Sequence, residues 1–160
     1  MPKVLVATVK PFAPAAVSQI KEIIENTGYE FVLFEKYSSQ DELVNAVADV
    51  DALIIRSDKV DADVIGAAGN LKIVVRAGAG YDNIDLEAAS AKDIVAMNTP
   101  GQNSNAVAEL AMGMMVYVAR NQLNGTSGTE LSGKTLGIHA YGYVGKLVAK
   151  IAKGDRKSVV

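Results

Sequence analysis

The sequence predicts an α/β fold: a doubly wound parallel sheet, followed by the start of a second α/β unit. Three observations carry this. Short β-branched runs alternate with helical stretches along almost all of the 160 residues. The runs lack polar alternation, as strands covered on both faces do. The links between them are short and contain Gly, Asn, Asp or Pro, as strand-to-helix connections require.

The elements follow in order. Lys3–Thr8 (KVLVAT) reads as a buried strand, and Pro14–Asn26 as an amphipathic helix with Val17, Ile20, Ile23 and Ile24 on its apolar face. Gly28 ends that helix, being free to take positive φ. Strands are expected at 31–34, 52–55, 71–75 and 94–97, and helices at 41–48, 61–68 and 85–92. This makes a flavodoxin-like domain over residues 1–100. A long helix at 104–122, rich in Ala, Met and Val around most of its circumference, is expected to lie buried between two bodies. A polar connector at 124–133 leads to a strand at 135–139 and a helix at 144–153, so residues 101–154 hold the linker helix and the first strand–helix unit of a second domain. The final segment 155–160 (DRKSVV) matches one reading frame of a common sequencing-adapter sequence. It is expected to be non-native, with the native fragment ending at Gly154.

Composition excludes several classes. The chain is 49% hydrophobic and 21% charged with net charge −2, which leaves no electrostatic footprint for nucleic acid or an acidic membrane. It has no cysteine, which removes disulfides, thiolate nucleophiles and zinc-thiolate sites. No apolar run reaches the roughly 18 residues that span a bilayer, and Met1–Ala7 carries no signal-peptide pattern. A soluble cytoplasmic protein acting on a small molecule is expected, with no metal.

The segment LGIHAYGYVG places Ala140, Gly142 and Gly145 at the three positions of G-x-G-x-x-G between a strand and a helix. The middle glycine lets a pyrophosphate approach the backbone, and the third lets the helix pack close to the strand. Free N–H groups of the first helical turn then hold phosphate. Taken alone this degenerate loop is balanced between a nucleotide site and a plain turn. His139, the single histidine, reads as structural because no orienting carboxylate accompanies it.

Other segments have their own chemistry. Gly78 and Gly80 flank Ala79 at a strand's C-terminal edge, where successive small residues can turn several N–H groups toward one anion. Asp82, Asn83 and Asp85 close that turn, Asp85 capping the next helix. Arg56 and Ser57 follow the third strand, and a guanidinium fork suits phosphate. Asn103, Ser104 and Asn105 are all good N-caps for the long helix.

In this order and spacing, IIRSDK, VRAGAGYDNID, MNTPGQNSNAVAE and LGIHAYGYVG resemble the D-2-hydroxyacid dehydrogenase family over residues 3–154. The resemblance is strongest to members acting on a phosphorylated hydroxyacid. It implies NAD as cofactor and the start of a Rossmann NAD-binding domain, with Gly142, Tyr143, Val144 and Gly145 at the cofactor. It implies that Ala77, Gly78 and Ala79 hold the substrate carboxylate and that Arg56 and Ser57, helped by Lys59, hold its phosphate. Asn103 and Ser104 would lie near substrate and nicotinamide, while Arg76 and Glu109 would be structural. The implied reaction is hydride transfer from the 2-hydroxyl of 3-phosphoglycerate to NAD, the first step of serine synthesis, in a homodimeric parent. The family's catalytic His–Glu pair and Arg, and its ribose-binding acid, would lie beyond this chain, so the fragment alone is expected to be inactive. Truncation would leave Met112, Met114, Met115 and Val116 partly uncovered. Alternatives are a glycerate, glyoxylate or lactate enzyme, or a non-enzymatic NAD-sensing protein of the same fold. A phosphoryl-accepting receiver is rejected, because Val9–Lys10 and Arg56 stand where it needs acids.

Overall fold

A computed structural model describes residues 1–154 and the backbone of 158–159. It divides into two compact units, Met1–Pro100 and Gly101–Val160. In the first, β1 (Lys3–Thr8), β2 (Glu30–Glu35), β3 (Ala52–Ile55), β4 (Ile73–Arg76) and β5 (Val95–Asn98) form one sheet in the order β2-β1-β3-β4-β5. Every pairing is parallel. Between them run α1 (Pro14–Asn26), α2 (Gln40–Ala46), α3 (Ala62–Ala67) and α4 (Leu86–Ala91). Each later helix starts on a side-chain cap: Ser39 accepts from the Glu42 N–H, Asp61 from Val64 and Asp85 from Ala88. Removing such a cap costs about 1 kcal/mol.

The core is what the apolar runs required. Val6, Ala7 and Thr8 of the second-position strand β1 are fully buried, and Leu43, Val47, Leu53, Ile55, Val64 and Val74 cluster with its Leu5 and Ala7. Each fully buried Leu or Ile contributes about 1.5–3 kcal/mol of transfer free energy. Coverage on both faces fails at the edges of the sheet. Val95 and Met97 of β5 and Leu33 of β2 are exposed, since an edge strand here meets fewer covering side chains. Ile23 is also exposed, at 66%, because the stripe that α1 turns inward is Val17, Ile20 and Ile24. Ile23 lies about 100° around the helix from Ile24.

The second unit begins with α5 (Ser104–Ala119), shorter than the expected 104–122. The helix stops because Asn121, Gln122 and Leu123 take left-handed φ of 48°, 57° and 58° in a single tight turn. Gly128 then passes so close to Ala119 and Arg120 that no side chain fits there, and the Thr129 N–H bonds to the Ala119 carbonyl at 2.8 Å. β6 spans only Thr135–Leu136, not 135–139, and α6 runs Tyr143–Gly154. Ala108 and Met112 of α5 pack against Val148 and Ala152 of α6. Met112 is therefore covered, whereas Met114 and Val116 are exposed. Ser158–Val159 forms β7, parallel to β6. The expected non-native segment otherwise lies outside the described residues, at 155–157 and 160.

Candidate active site

In the first unit the parallel strands deliver their C-terminal ends to one rim, and the loops there are held by a buried carboxylate. Asp58 is 7% exposed. Its Oδ1 accepts from the Val9 N–H and the Tyr37 hydroxyl, each at 2.7 Å, and its Oδ2 accepts from the Arg56 N–H at 3.4 Å. Its backbone carbonyl accepts from Asn83 Nδ2 at 2.7 Å. One residue thus ties the loops after β1, β2 and β3 to the turn before α4. Burial alone would raise the Asp58 pKa, yet hydrogen bonds from Tyr37, the Val9 amide, Thr8 and the Arg56 amide outweigh it and hold the carboxyl below its ordinary value. The same contact works in reverse on Tyr37: burial first, then the Asp58 carboxylate, push its phenol well above the usual range. Asn83 Oδ1 is buried without a partner among the described residues.

A second residue joins the loops after β3 and β4. Arg76, the last residue of β4, donates from Nε to the Arg56 carbonyl at 2.9 Å and from Nη1 to the Gly80 carbonyl at 3.2 Å. Its guanidinium lies where a Cβ on Gly78 would be, within 2.5–2.8 Å, so glycine is required at 78 by close approach. Asn98 Nδ2 donates to the Ala79 carbonyl at 2.7 Å, and the Thr99 N–H donates to the Gly78 carbonyl at 2.9 Å. The loop's carbonyls are therefore drawn down into the protein.

Its amides are unevenly free. The Ala77 N–H bonds to the Ile55 carbonyl and the Gly78 N–H to the Arg76 carbonyl, both at 2.8 Å. This amends the expected nest of Ala77, Gly78 and Ala79: two of those donors are already engaged. Among the described residues no bond takes the Ala79 or Gly80 N–H, so the free pair lies one residue later. Arg56 and Ser57 are exposed at the end of the adjacent strand. The structure therefore brings Arg56, Ser57 and the Gly78 loop together on neighbouring strand ends.

The remaining expected residues belong to the second unit. Ala140 takes φ 73°, the conformation that explains why glycine suits this position. A Cβ on Gly145 would collide with the Ala140 carbonyl oxygen, so the third glycine is a packing glycine. A Cβ on Gly142 would meet nothing within 4 Å, leaving open space where a phosphate would come. The Lys146 N–H is bonded back to the Gly142 carbonyl at 3.0 Å, so the amides of Tyr143, Val144 and Gly145 form the unpaired first turn of α6. Asn103 occupies the N-cap position of α5 but makes no side-chain cap bond, so the capping expected of at least one of Asn103, Ser104 and Asn105 is not seen. Ser104 is buried, and Asn105 bonds Glu109 at 2.7 Å. His139 is exposed with no bond among the described residues.

Sequence reasoning missed Asp58, Tyr37 and Asn98, and gave Arg76 a structural role without saying what it holds. The available signal was position alone: Asp58 and Asn98 each follow or end a strand on the rim.

Comparison with known proteins gives the family. Residues 5–153 match the family described as D-isomer specific 2-hydroxyacid dehydrogenase, catalytic domain. A hydroxypyruvate reductase of Thermotoga maritima is 43% identical over 137 residues, covering 77% of this chain and 45% of the relative. The D-3-phosphoglycerate dehydrogenase of Homo sapiens is 44% identical over 144 residues, covering 81% and 27%. Among solved structures, an NAD+-bound 3-phosphoglycerate dehydrogenase of Entamoeba histolytica superposes with a TM-score of 0.95 at 50% identity, covering 99% of this chain and 52% of that one. The chain thus spans about half or less of the length of these relatives. A match along nearly its whole length places the chain in the D-isomer-specific 2-hydroxyacid dehydrogenase family.

Proposed function

We propose that this chain is the substrate-binding part, with the first cofactor-binding turn, of an NAD-dependent dehydrogenase that oxidises the 2-hydroxyl of 3-phosphoglycerate. One observation carries the reading: Arg56 and the free Ala79 and Gly80 amides stand at the ends of adjacent strands, fixed together by Arg76. Two amides suit a carboxylate, and a guanidinium beside a hydroxyl suits a phosphate. The chain's task is to bind both anionic ends of the substrate and orient its 2-hydroxyl. The first turn of α6 fits a dinucleotide phosphate, given the open space at Gly142 and the close packing at Gly145. NAD bound there would supply the hydride acceptor. The names of the human and Entamoeba relatives support the substrate and cofactor.

Asp58 and Tyr37 are engaged with each other, so a base supplied by a longer parent is part of the same proposal, and the 160-residue chain alone should show no turnover. Serine synthesis, a cytoplasmic setting and a homodimeric parent are parts of the same proposal. No helix among the described residues is long and apolar enough to cross a membrane. The name of the Thermotoga relative supports a second reading, reduction of hydroxypyruvate. In the complete enzyme, Arg56→Ala should raise KM for 3-phosphoglycerate roughly ten- to hundredfold, the loss of one charge-assisted contact. KM for glycerate should change far less. An equal effect on both substrates would remove Arg56 from the phosphate and favour the second reading.

A further inference from the structure

Three consecutive carbonyls in the loop after β4 are each held by one donor. The Thr99 N–H donates to the Gly78 carbonyl at 2.9 Å, Asn98 Nδ2 to the Ala79 carbonyl at 2.7 Å, and Arg76 Nη1 to the Gly80 carbonyl at 3.2 Å. In a planar trans peptide the C=O and the N–H of the next residue leave opposite edges, so fixing one aims the other. The bond on the Gly78 carbonyl therefore sets the direction of the Ala79 N–H, and the bond on the Ala79 carbonyl sets that of the Gly80 N–H. Those are the two amides that no group takes among the described residues.

The two bonds differ in what supplies them. Thr99 donates from its backbone, one step beyond the last β4–β5 pair, Arg76 with Asn98, so the sheet itself provides that bond. The bond to Ala79 comes from a side chain 19 residues away, and no other donor takes that carbonyl among the described residues. Nor does the local backbone choose the direction. Gly80 has no Cβ, so the peptide between Ala79 and Gly80 can turn over at little steric cost on that side. A hydrogen bond on a carbonyl also polarises its peptide group and strengthens the N–H on the other edge as a donor. Without Asn98 the loop would keep the Ala79 amide in place and lose control of the next one.

We infer that Asn98 is a positioning residue for the carboxylate end of the ligand: through the Ala79 carbonyl it aims the Gly80 N–H, so that two amides meet one carboxylate. It need not touch the ligand. The inference rests on the substrate reading above, which places the carboxylate at Ala79 and Gly80, and it adds the side chain that makes the second of those donors available. Asn98→Leu keeps the shape of the side chain and removes the donor. Asn98→Asp sets an acceptor oxygen against the Ala79 carbonyl, and two acceptors repel, which drives the peptide over.

The test is amide-resolved NMR of the 160-residue chain, titrated with 3-phosphoglycerate and separately with inorganic phosphate at constant ionic strength. In the free chain, Asn98→Leu should move the amide-nitrogen shift of Gly80, which senses the hydrogen bond on the carbonyl of its own peptide group, and leave that of Ala79 in place. 3-Phosphoglycerate should shift the Ala79 and Gly80 amides of the wild type and bind Asn98→Leu about tenfold more weakly, with Asn98→Asp at least as weak. Affinity for inorganic phosphate, which the substrate reading places at Arg56, should change little in Asn98→Leu, as should the thermal midpoint. A parallel loss of phosphate affinity would make Asn98 a support of the whole rim and overturn the positioning role. Wild-type shifts at Ala79 and Gly80, with undiminished 3-phosphoglycerate affinity in both variants, would also overturn it while keeping the substrate reading. No shift at either amide from 3-phosphoglycerate in the wild type, with Gly80 still displaced in Asn98→Leu, would sink the substrate reading and leave Asn98 no ligand to position.

Discussion

Replacing Asp58 should separate two roles of a buried carboxylate, its shape and its charge. In Asp58→Ala, Tyr37 loses the acceptor for a hydroxyl on a side chain only 6% exposed, and Val9 and Arg56 lose theirs. A buried donor left without a partner costs about 1–3 kcal/mol. Val9 is 48% exposed and its amide can rehydrate, so Tyr37 carries most of the penalty. Relief of the buried charge offsets part of it. The net cost should be about 2 kcal/mol. Asp58→Asn is different, because both short bonds fall on Oδ1, which a carboxamide oxygen replaces. Only the long contact from the Arg56 amide would face an NH2 group, so about 1 kcal/mol is expected.

The two variants also differ from the wild type with pH. The folded-state pKa of Asp58 is lowered, so its stabilisation is present above the unfolded value near 3.9 and is lost as pH falls below it. Asp58→Asn should lose less stability than wild type between about pH 4 and pH 2. Urea unfolding followed by far-UV circular dichroism at pH 7 and pH 3 would measure all of this. Equal destabilisation by Asn and Ala, or a wild-type pH dependence in the Asn variant, would refute the assignment of Asp58 as an ionised acceptor.

Two further outcomes concern the glycine-rich turn. Ala140→Gly should stabilise the chain by about 1 kcal/mol, since alanine at φ 73° bears a left-handed penalty that glycine avoids; an unchanged or lower thermal midpoint would contradict the observed backbone. Gly145→Ala should destabilise by about 1–3 kcal/mol through its collision with the Ala140 carbonyl. Gly142→Ala, pointing into open space, should fold normally yet weaken NAD in the complete enzyme, as calorimetric titration would report; loss of folding there would mean the glycine serves packing instead.

Which features were legible from sequence depended on how local their causes are. β1, α1 and β3 lie where the apolar patterns put them, because β-branched runs and a proline at a helix start are local signals. α3 and α4 start one residue later than expected, since Asp61 and Asp85 cap from outside the helices they start, whereas α2 starts one residue earlier, at Gln40, and ends two residues sooner, at Ala46. The shortening of β6 and the left-handed turn after Ala119 had no comparable signal; three non-glycine residues with positive φ in succession contradict ordinary propensity. At the rim, the nearness of Arg56 to Gly78 followed from both ending adjacent strands. The contacts that fix them did not, because Asp58 meets Val9 across 49 residues and Tyr37 across 21. Periodicity cannot see such pairs.

Arg76 has a consequence for which molecules the rim accepts. Because its fork holds the carbonyls of Arg56 and Gly80 at once, the interval between the two ligand-facing loops is set before anything arrives. The arginine acts as a ruler. A guest whose charged ends are spaced differently must break one rung of that fork, at about 1–3 kcal/mol, which is roughly a five- to hundredfold loss of affinity. Discrimination by length is thereby built into a side chain that need never touch the guest.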